Sequence, residues 1–346
     1  MKILITGGGG FLGLHLARFL NKKGFDLVLL DLNELPKNEY PEKVEFVKGD
    51  IRKGSLMDKL TNVDVVIHAA AALPLWKKED VYSVNIDGTE NLLESAFKNK
   101  VGRFIYISST AVYGIPKKHP VYEGDPQVGV GPYGESKIEA ERLCEEYRRK
   151  GLVVTIIRPK TFVGTHRLGV FEILFDWIKD GKKIPVVGNG KNRYQLLDVD
   201  DLVEAIYKTI TISDRKKVND TFNIGAEKFE TVEKDLQELF DFAKSGSKIL
   251  KTPAFLVKKS LFILEKLRLS PLYKWIYETA DKDSFVSIQK IKKTLSWRPK
   301  YSNSQALIKS YKWYLKNYKQ IKKGTPGVTH TVGWKQGILG IIKKFL

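Results

Sequence analysis

Residues 6–13 read Thr6-Gly7-Gly8-Gly9-Gly10-Phe11-Leu12-Gly13, between an apolar run, Ile3–Thr6, and an amphipathic stretch, Phe11–Lys22. Gly7, Gly10 and Gly13 recur at a three-residue spacing. At a strand-to-helix junction such glycines allow a tight turn, close approach of backbone to an anionic group, and close packing of helix on strand. The helix N-terminus adds N–H groups and the positive end of its dipole. A glycine cluster alone is equally a flexible turn; the strand before it and the helix after it supply the meaning.

Working outward, short apolar runs follow at Leu27–Asp31, Val44–Val47, Val63–His68, Phe104–Ser108 and Val153–Ile157. Runs of this kind suit strands buried on both faces. Helical patterns separate them, for example Phe11–Lys22, Glu79–Lys98 and Tyr133–Lys150. This alternation predicts an α/β fold, a Rossmann-type doubly wound parallel sheet with right-handed crossovers. After Arg158-Pro159 the rhythm changes. Helices are expected over 169–179, 199–210, 230–243 and 253–267, with strands at Ile184–Val187 and Thr221–Ile224. The expected division is a cofactor-binding core over 1–160, a smaller mixed substrate-binding part over 161–320, and a basic tail over 321–346.

Composition narrows the class. The chain has 346 residues, 42% hydrophobic and 11% aromatic, which excludes disordered and collagen-like chains. One cysteine, Cys144, gives no disulfide framework and suits a reducing compartment. Its neighbours Glu141, Glu145 and Glu146 oppose a thiolate, so a surface or half-buried thiol is expected rather than a nucleophile. The chain opens directly on the first strand, without the pattern of a signal peptide, and no apolar run approaches the length of a membrane span. A cytoplasmic protein is expected, with a peripheral place at the inner face of the membrane as the variant. Net charge is +19, yet residues 284–346 carry 14 Lys and Arg and no acid. A one-signed end points to an anionic partner, whereas a Lys-rich solvated surface explains only the general excess.

The run Leu27–Asp31 ends on an acid. A carboxylate there accepts hydrogen bonds from ribose hydroxyls and repels a 2′-phosphate, so the expected cofactor is NAD rather than NADP. Gly7, Gly10, Phe11, Leu12 and Gly13 are the candidate pyrophosphate contacts. Asp50 and Ile51 are placed at the adenine edge, Ala69, Ala70 and Ala71 where backbone approaches the cofactor. Asn85 is either a residue that ties strands together or a helix cap. No metal site is expected.

Tyr133-Gly134-Glu135-Ser136-Lys137 sets a phenol and an ammonium four residues apart on one helix face. A free tyrosine, with a pKa of about 10, is a poor base at neutral pH. A neighbouring ammonium and a positive nicotinamide ring both favour the phenolate. Tyr133 could then take a hydroxyl proton while hydride leaves the same carbon. Lys137 would also hold the nicotinamide ribose, beside Pro159. The spacing alone is common as a surface pair.

Together with Ser108-Ser109-Thr110-Ala111-Val112-Tyr113-Gly114, the pattern resembles the extended short-chain dehydrogenase/reductase family, the sugar epimerases and dehydratases. The resemblance runs from Met1 to about Tyr318. It includes Asp50-Ile51, His68-Ala69-Ala70, Val84–Thr89, Arg158-Pro159, Gly188-Asn189-Gly190, Val199-Asp200-Asp201 and Leu295–Lys300. It implies that Ser109, four residues before Tyr113, completes the catalytic set with Tyr133 and Lys137. It also implies a homodimer built on the Glu79–Lys98 and Tyr133–Lys150 helices.

Departures narrow the chemistry. Dehydratases of the family carry an Asp-Glu pair just after the catalytic hydroxyl; Thr110-Ala111 supplies none. The expected activity is therefore 4-epimerisation of a nucleotide-linked sugar through a transient keto intermediate, with polyprenyl diphosphate as the alternative carrier. A hydroxysteroid-type or other secondary-alcohol dehydrogenase is the competing enzyme. A catalytically idle NAD-binding protein with a nucleic-acid-binding tail is the competing class, although the tail lacks interleaved stacking aromatics. The asparagine common after Arg158 is replaced by Thr161. The usual diphosphate-binding arginine falls at Tyr194, with Arg193 beside it, and its C-terminal partner has no counterpart near 275–283. His166, Arg167 and Arg193 are the substitute phosphate clamp, and Ser109, Thr110 and Thr161 the remaining substrate contacts. In the tail, Ile338, Leu339, Ile341, Ile342, Phe345 and Leu346 share a helix face among lysines. Such a helix either lies in an anionic membrane interface or docks on the protein itself.

Overall fold

The computed structural model describes residues 1–53, 62–74, 76–166, 168–266, 274–323 and 338–346. The apolar runs form one all-parallel sheet of seven strands: β1 (Lys2–Thr6), β2 (Asp26–Asp31), β3 (Val44–Lys48), β4 (Val65–His68), β5 (Arg103–Ile107), β6 (Val154–Pro159) and β10 (Thr221–Ile224), in the order β10-β6-β5-β4-β1-β2-β3. Winding runs from β1 outward through β2 and β3, then reverses through β4, β5 and β6. The switch point therefore lies between β1 and β4, where a crevice opens beyond the carboxyl ends of the strands. The glycine turn follows β1 and Ala69–Ala71 follow β4 there. Every position of β4 and β6 is buried, as a sheet covered on both faces demands.

On one face, helix α1 (Phe11–Lys22) packs against α6 (Val199–Thr211). On the other, α3 (Gly88–Lys98) packs against α4 (Gly131–Arg149). The single helix expected over 79–98 is three pieces, α2 (Lys78–Tyr82), a π turn at Ser83–Asp87, and α3. Cys144 is fully buried between sheet and α4, not at the surface as expected, and burial raises its thiol well above its ordinary value. It is inert packing.

A break in the sheet at residue 160 does not occur, because β10, from the later half, completes the sheet at its edge. The separate part has a third apolar cluster of its own, between α5 (Val170–Lys179), α8 (Val232–Ala243) and α12 (Asn303–Lys323). The sequence reading named no helix at α12. Its apolar Leu307, Tyr311 and Tyr314 recur at helical spacing on that cluster. Two-stranded pairs join β8 (Ile184–Val187) to β11 (Ile249–Thr252), and β7 (Phe162–Val163) to β9 (Leu197–Asp198).

Residues 324–337 of the basic tail, Lys335 among them, lie outside the described residues. The tail stripe is split. Leu339 and Leu346, around the short helix α13 (Ile338–Ile342), pack on the third cluster, whereas Ile342 and Phe345 are exposed. Lys343 Nζ bonds both Asp176 Oδ2 and Asp180 Oδ2 at 2.5 Å. Among the described residues no helix is long and apolar enough to cross a membrane.

Candidate active site

The glycine turn is shaped by contact. Gly7 has φ +69°, and a Cβ there would stand 2.8 Å from the Ala70 backbone. A Cβ at Gly13 would come within 2.3 Å of the Gly7 carbonyl oxygen. Only glycine permits this turn to lie so close to the strands and to itself. Gly10 is the N-cap of α1 and offers no side chain to the first-turn N–H groups of Phe11, Leu12 and Gly13. Asp31, ending β2, accepts the Gly9 N–H at 2.9 Å and the Asn33 N–H at 3.0 Å. Its carboxylate thus stands at the rim of the turn, half-buried.

Asp50 is engaged by its own neighbour. Arg52 donates to it at 2.6 Å, and this guanidinium holds the Asp50 pKa below the ordinary carboxylate value. Ile51 packs on Gly88, where a Cβ would meet its Cδ1 at 2.6 Å.

A directed hydrogen-bond chain fixes the floor between β1 and β4. The Thr89 hydroxyl donates to Asn85 O at 2.7 Å, so it accepts from His68 Nε2 at 2.9 Å. His68 Nδ1 then accepts from the Thr6 hydroxyl at 2.7 Å, whose oxygen takes the Ala70 N–H at 3.3 Å. Burial, reinforced by the Lys137 charge, pushes the His68 pKa down to about 3, so the ring is neutral as this chain requires. Asn85, in the π turn, accepts the Ala72 N–H at 2.8 Å and donates to Ser136 Oγ at 3.0 Å. Ser136 in turn donates to Tyr133 O at 2.9 Å. The tie foreseen for Asn85 therefore joins the loop after β4 to the turn of α4 that carries Tyr133.

Pro132 starts α4 and places Tyr133 and Lys137 on the same side. Lys137 is buried, donates to Ile107 O at 3.0 Å, and has its Nζ 5.9 Å from the Tyr133 ring centroid and 4.8 Å from that of Tyr106. Burial pulls its pKa down to about 8, against the opposing pull of Glu141. Ser109 caps the short 3₁₀ turn Thr110–Tyr113, its Oγ accepting the Ala111 N–H at 3.1 Å. The hydroxyl proton remains to be donated elsewhere. Helix and turn touch closely, since a Cβ at Gly134 would come 3.1 Å from Ala111 O. Ser109, Tyr133 and Lys137 thus gather where β5 ends.

Beneath them lies a network that sequence reading missed. Arg158 and Glu141 form a buried ion pair at 2.6 Å, with side chains 4% and 1% exposed. Glu141 also accepts from the Ser108 hydroxyl and from Gln127 Nε2, and Arg158 donates to Tyr113 OH at 2.7 Å. Tyr113 OH donates to Asn223 Oδ1 at 2.7 Å. The charges are fully compensated, so this network braces Ser108-Ser109 and holds β6 and β10 under the site. Glu141, four residues after Lys137 on α4, was its only signal in the sequence.

Of the substrate clamp expected from His166, Arg167 and Arg193, two members are described, and each has partners within the protein. Arg167 lies outside the described residues. His166 Nε2 meets Arg18 Nη1 at 3.0 Å, and an arginine can only donate, so that nitrogen accepts. Its ring also lies 4.9 Å from Trp313. Arg193 is held between Phe229 and Phe285, at 4.7 and 4.8 Å from their centroids. Tyr194 has other surroundings: its hydroxyl lies 3.4 Å from Thr161 Oγ1, and its ring 4.9 Å from Lys160 Nζ. Successive residues of an extended segment point to opposite faces, so Arg193 and Tyr194 do not serve one pocket. Thr161 keeps its place at the end of β6, beside Tyr194, and Pro159 is buried within β6 where it pairs with Ile224.

The model of the NAD dependent epimerase/dehydratase family matches residues 3–225. A protein of Sinorhizobium fredii described as uncharacterized is 36% identical over 98% of this chain and 85% of its own length. A putative UDP-glucose 4-epimerase of Methanocaldococcus jannaschii is 33% identical over 70% of this chain and 81% of its own. An Escherichia coli O157:H7 N-acetyl-α-D-glucosaminyl-diphospho-ditrans,octacis-undecaprenol 4-epimerase is 33% identical over 59% of this chain and 62% of its own. In fold, the chain matches the UDP-glucose 4-epimerase of Thermotoga maritima, solved with UDP-glucose, with a TM-score of 0.77 at 24% identity over 92% of this chain and all of the other.

Proposed function

The chain belongs to the NAD dependent epimerase/dehydratase family, and on that premise we propose that it is a 4-epimerase of a sugar carried on a diphosphate, with a nucleotide as the default carrier. The observation that carries this reading is the absence of a usable acid beside Ser109. Thr110 and Ala111 are buried and neutral, and the nearby carboxylates are engaged: Glu141 by Arg158, Glu123 by the Asn223 N–H, and Glu135 by Tyr82. Removing a second hydroxyl requires a proton donor, and among the described residues none stands directly after Ser109, where Thr110 and Ala111 lie.

The residues present fit the cofactor. The glycine turn leaves no side chain between α1 and a pyrophosphate, Asp31 stands at the adenosine end, and Lys137 is a buried ammonium with one protein acceptor, Ile107 O. NAD, held by the glycine turn, Asp31 and Lys137, would supply the hydride acceptor and donor for C4 of the sugar. In this reading Tyr133 Oη takes the C4 hydroxyl proton and gives it back. Lys137 favours the phenolate by its charge, and Ser109 Oγ donates a hydrogen bond to the same sugar oxygen. His68, Asn85 and Ser136 orient these groups without touching substrate.

Incubation with NAD and UDP-glucose or UDP-N-acetylglucosamine, followed by proton NMR in D₂O, tests the reading. The expected product is the C4 epimer, with unchanged mass, no deuterium on carbon and no net NADH. Accumulating NADH would favour a dehydrogenase instead; loss of water would sink the argument from the missing acid.

A polyprenyl diphosphate is the second carrier, and one observation favours it. Phe255, Leu256, Phe262 and Ile263 of helix α9 (Ala254–Lys266) are exposed, with Lys259 among them. They offer an apolar, basic surface suited to an anionic membrane. A homodimer through α2, α3 and α4 completes the proposal; Phe97 on α3 is 42% exposed there.

A further inference from the structure

Lys160 follows β6 directly, at the carboxyl edge of the sheet, one residue before Thr161. Its backbone N–H is fixed to Ile224 O at 2.8 Å, and the residue is 3% exposed. An ammonium has three protons to donate. Here Nζ finds the Ser284 hydroxyl at 2.6 Å and the face of Tyr194. No carboxylate among the described residues offsets its charge, and burial alone pulls its pKa down to about 7. A buried cation without an ionic partner is costly, which distinguishes this lysine from the fully paired Arg158. The surrounding Thr161, Tyr194 and Ser284 are each only half-buried, so the cluster reaches solvent through them.

We propose that Lys160, with Ser284, Thr161 and the Tyr194 hydroxyl, forms an anion subsite that takes a phosphate oxygen of the substrate's diphosphate. This rests on the reading of the substrate as a diphosphate-linked sugar. The arriving anion supplies the acceptors that Nζ lacks, and Thr161 and Tyr194 add neutral donors. The positive charge on the substrate side thus comes from a position the sequence reading passed over, rather than from Arg193. An anion favours the ammonium over the amine, so binding near pH 8 draws a proton from the buffer.

The test is calorimetric titration of the full-length, NAD-loaded protein with UDP-glucose, inorganic pyrophosphate and D-glucuronate, in buffers of differing ionisation enthalpy. UDP-glucose has no group of its own titrating near neutrality. Expected are proton uptake at about pH 8 in the wild type, clearly less in Lys160→Met, whose remainder comes from the Tyr133–Lys137 pair, and at least tenfold weaker binding of UDP-glucose and pyrophosphate in that variant. Equal affinity in Lys160→Met would overturn the proposal, and so would absence of proton uptake in the wild type, which needs no variant to fold. Lysine-dependent binding of glucuronate in preference to pyrophosphate would overturn the diphosphate assignment. Lysine-dependent binding of pyrophosphate without binding of UDP-glucose would uphold the subsite while removing the nucleotide carrier.

Discussion

The cofactor side and the substrate side of this molecule each bury a lysine at the carboxyl edge of the same sheet, and they treat it differently. Lys137 sits on α4 amid a compensated network: Ile107 O accepts from it, Glu141 pulls its pKa back up, and Glu141 is itself paired with Arg158. Lys160 sits beyond β6 with, among the described residues, a hydroxyl and a ring face. The first arrangement suits a charge that must stay in place through a reaction. The second suits a charge completed by a ligand that comes and goes. Burial of a charged group thus reports function only after its partners are counted.

The largest effect expected lies on the cofactor side. Tyr133→Phe removes the hydroxyl that moves the proton but keeps the ring against its neighbours. Turnover should fall by about 10²–10⁴-fold, the usual worth of a positioned acid–base group. Substrate affinity and NAD binding should stay within a small factor of wild type. A loss appearing in KM rather than kcat would erase the contrast, because Tyr133 would then be a binding residue like those around Lys160.

Asp31→Ala should come next. The carboxylate rests on the Gly9 N–H, close to where a 2′-phosphate would lie. Two such anions side by side cost several kcal/mol, so wild type should prefer NAD over NADP by a wide margin. The variant should narrow that margin by about tenfold or more, read by direct titration of both cofactors. A wild-type preference for NADP would show that Asp31 faces something other than the ribose.

The same contrast runs through what the sequence disclosed. The glycine turn, the strand runs and the Tyr133–Lys137 pair could be read because each depends on local spacing: a strand, a turn and a helix in immediate succession, or one helical turn. Thr221–Ile224 was correctly read as a strand and assigned to the wrong part, since the partner that places it, β6, lies some sixty residues earlier. Long-range partners likewise stay hidden: Arg193 and Tyr194 are neighbours in sequence, yet a bridge-paired segment sends them to opposite faces, and the Arg18 that donates to His166 lies far away in sequence. Lys160, directly after VTIIRP, carried no signal of its own in the sequence, and its meaning depends on Ser284 and Tyr194.

The smallest effect is expected at the far end of the chain. Residues 338–346 lean on the third cluster through Leu339 and Leu346, and Lys343 bonds Asp176 and Asp180. Asp176 keeps other partners when the tail is removed, Lys322 at 2.9 Å and the Tyr314 hydroxyl at 2.7 Å. Truncation after Lys323 therefore strands no buried charge. Two half-buried leucines and partly exposed ion pairs should contribute about 1–2 kcal/mol together. Such a loss lowers the melting temperature by a few degrees at most and leaves turnover on a soluble sugar nucleotide unchanged, because Ser109, Tyr133, Lys137 and Lys160 are untouched. Sedimentation with anionic vesicles gives the sharper reading. Among the described side chains of the tail, Lys343, Leu339 and Leu346 are engaged by the protein itself, and Phe345 and Ile342 are exposed. Helix α9 keeps four exposed apolar side chains. The truncated chain should still pellet at moderate salt, and Phe255→Asp with Phe262→Asp in the full chain should release it. If truncation alone abolishes pelleting, the tail leaves its dock on Asp176 to reach lipid, and the docked arrangement is only one of two states. If neither change matters, the exposed face of α9 serves something other than a membrane, and the polyprenyl carrier loses the observation that favours it.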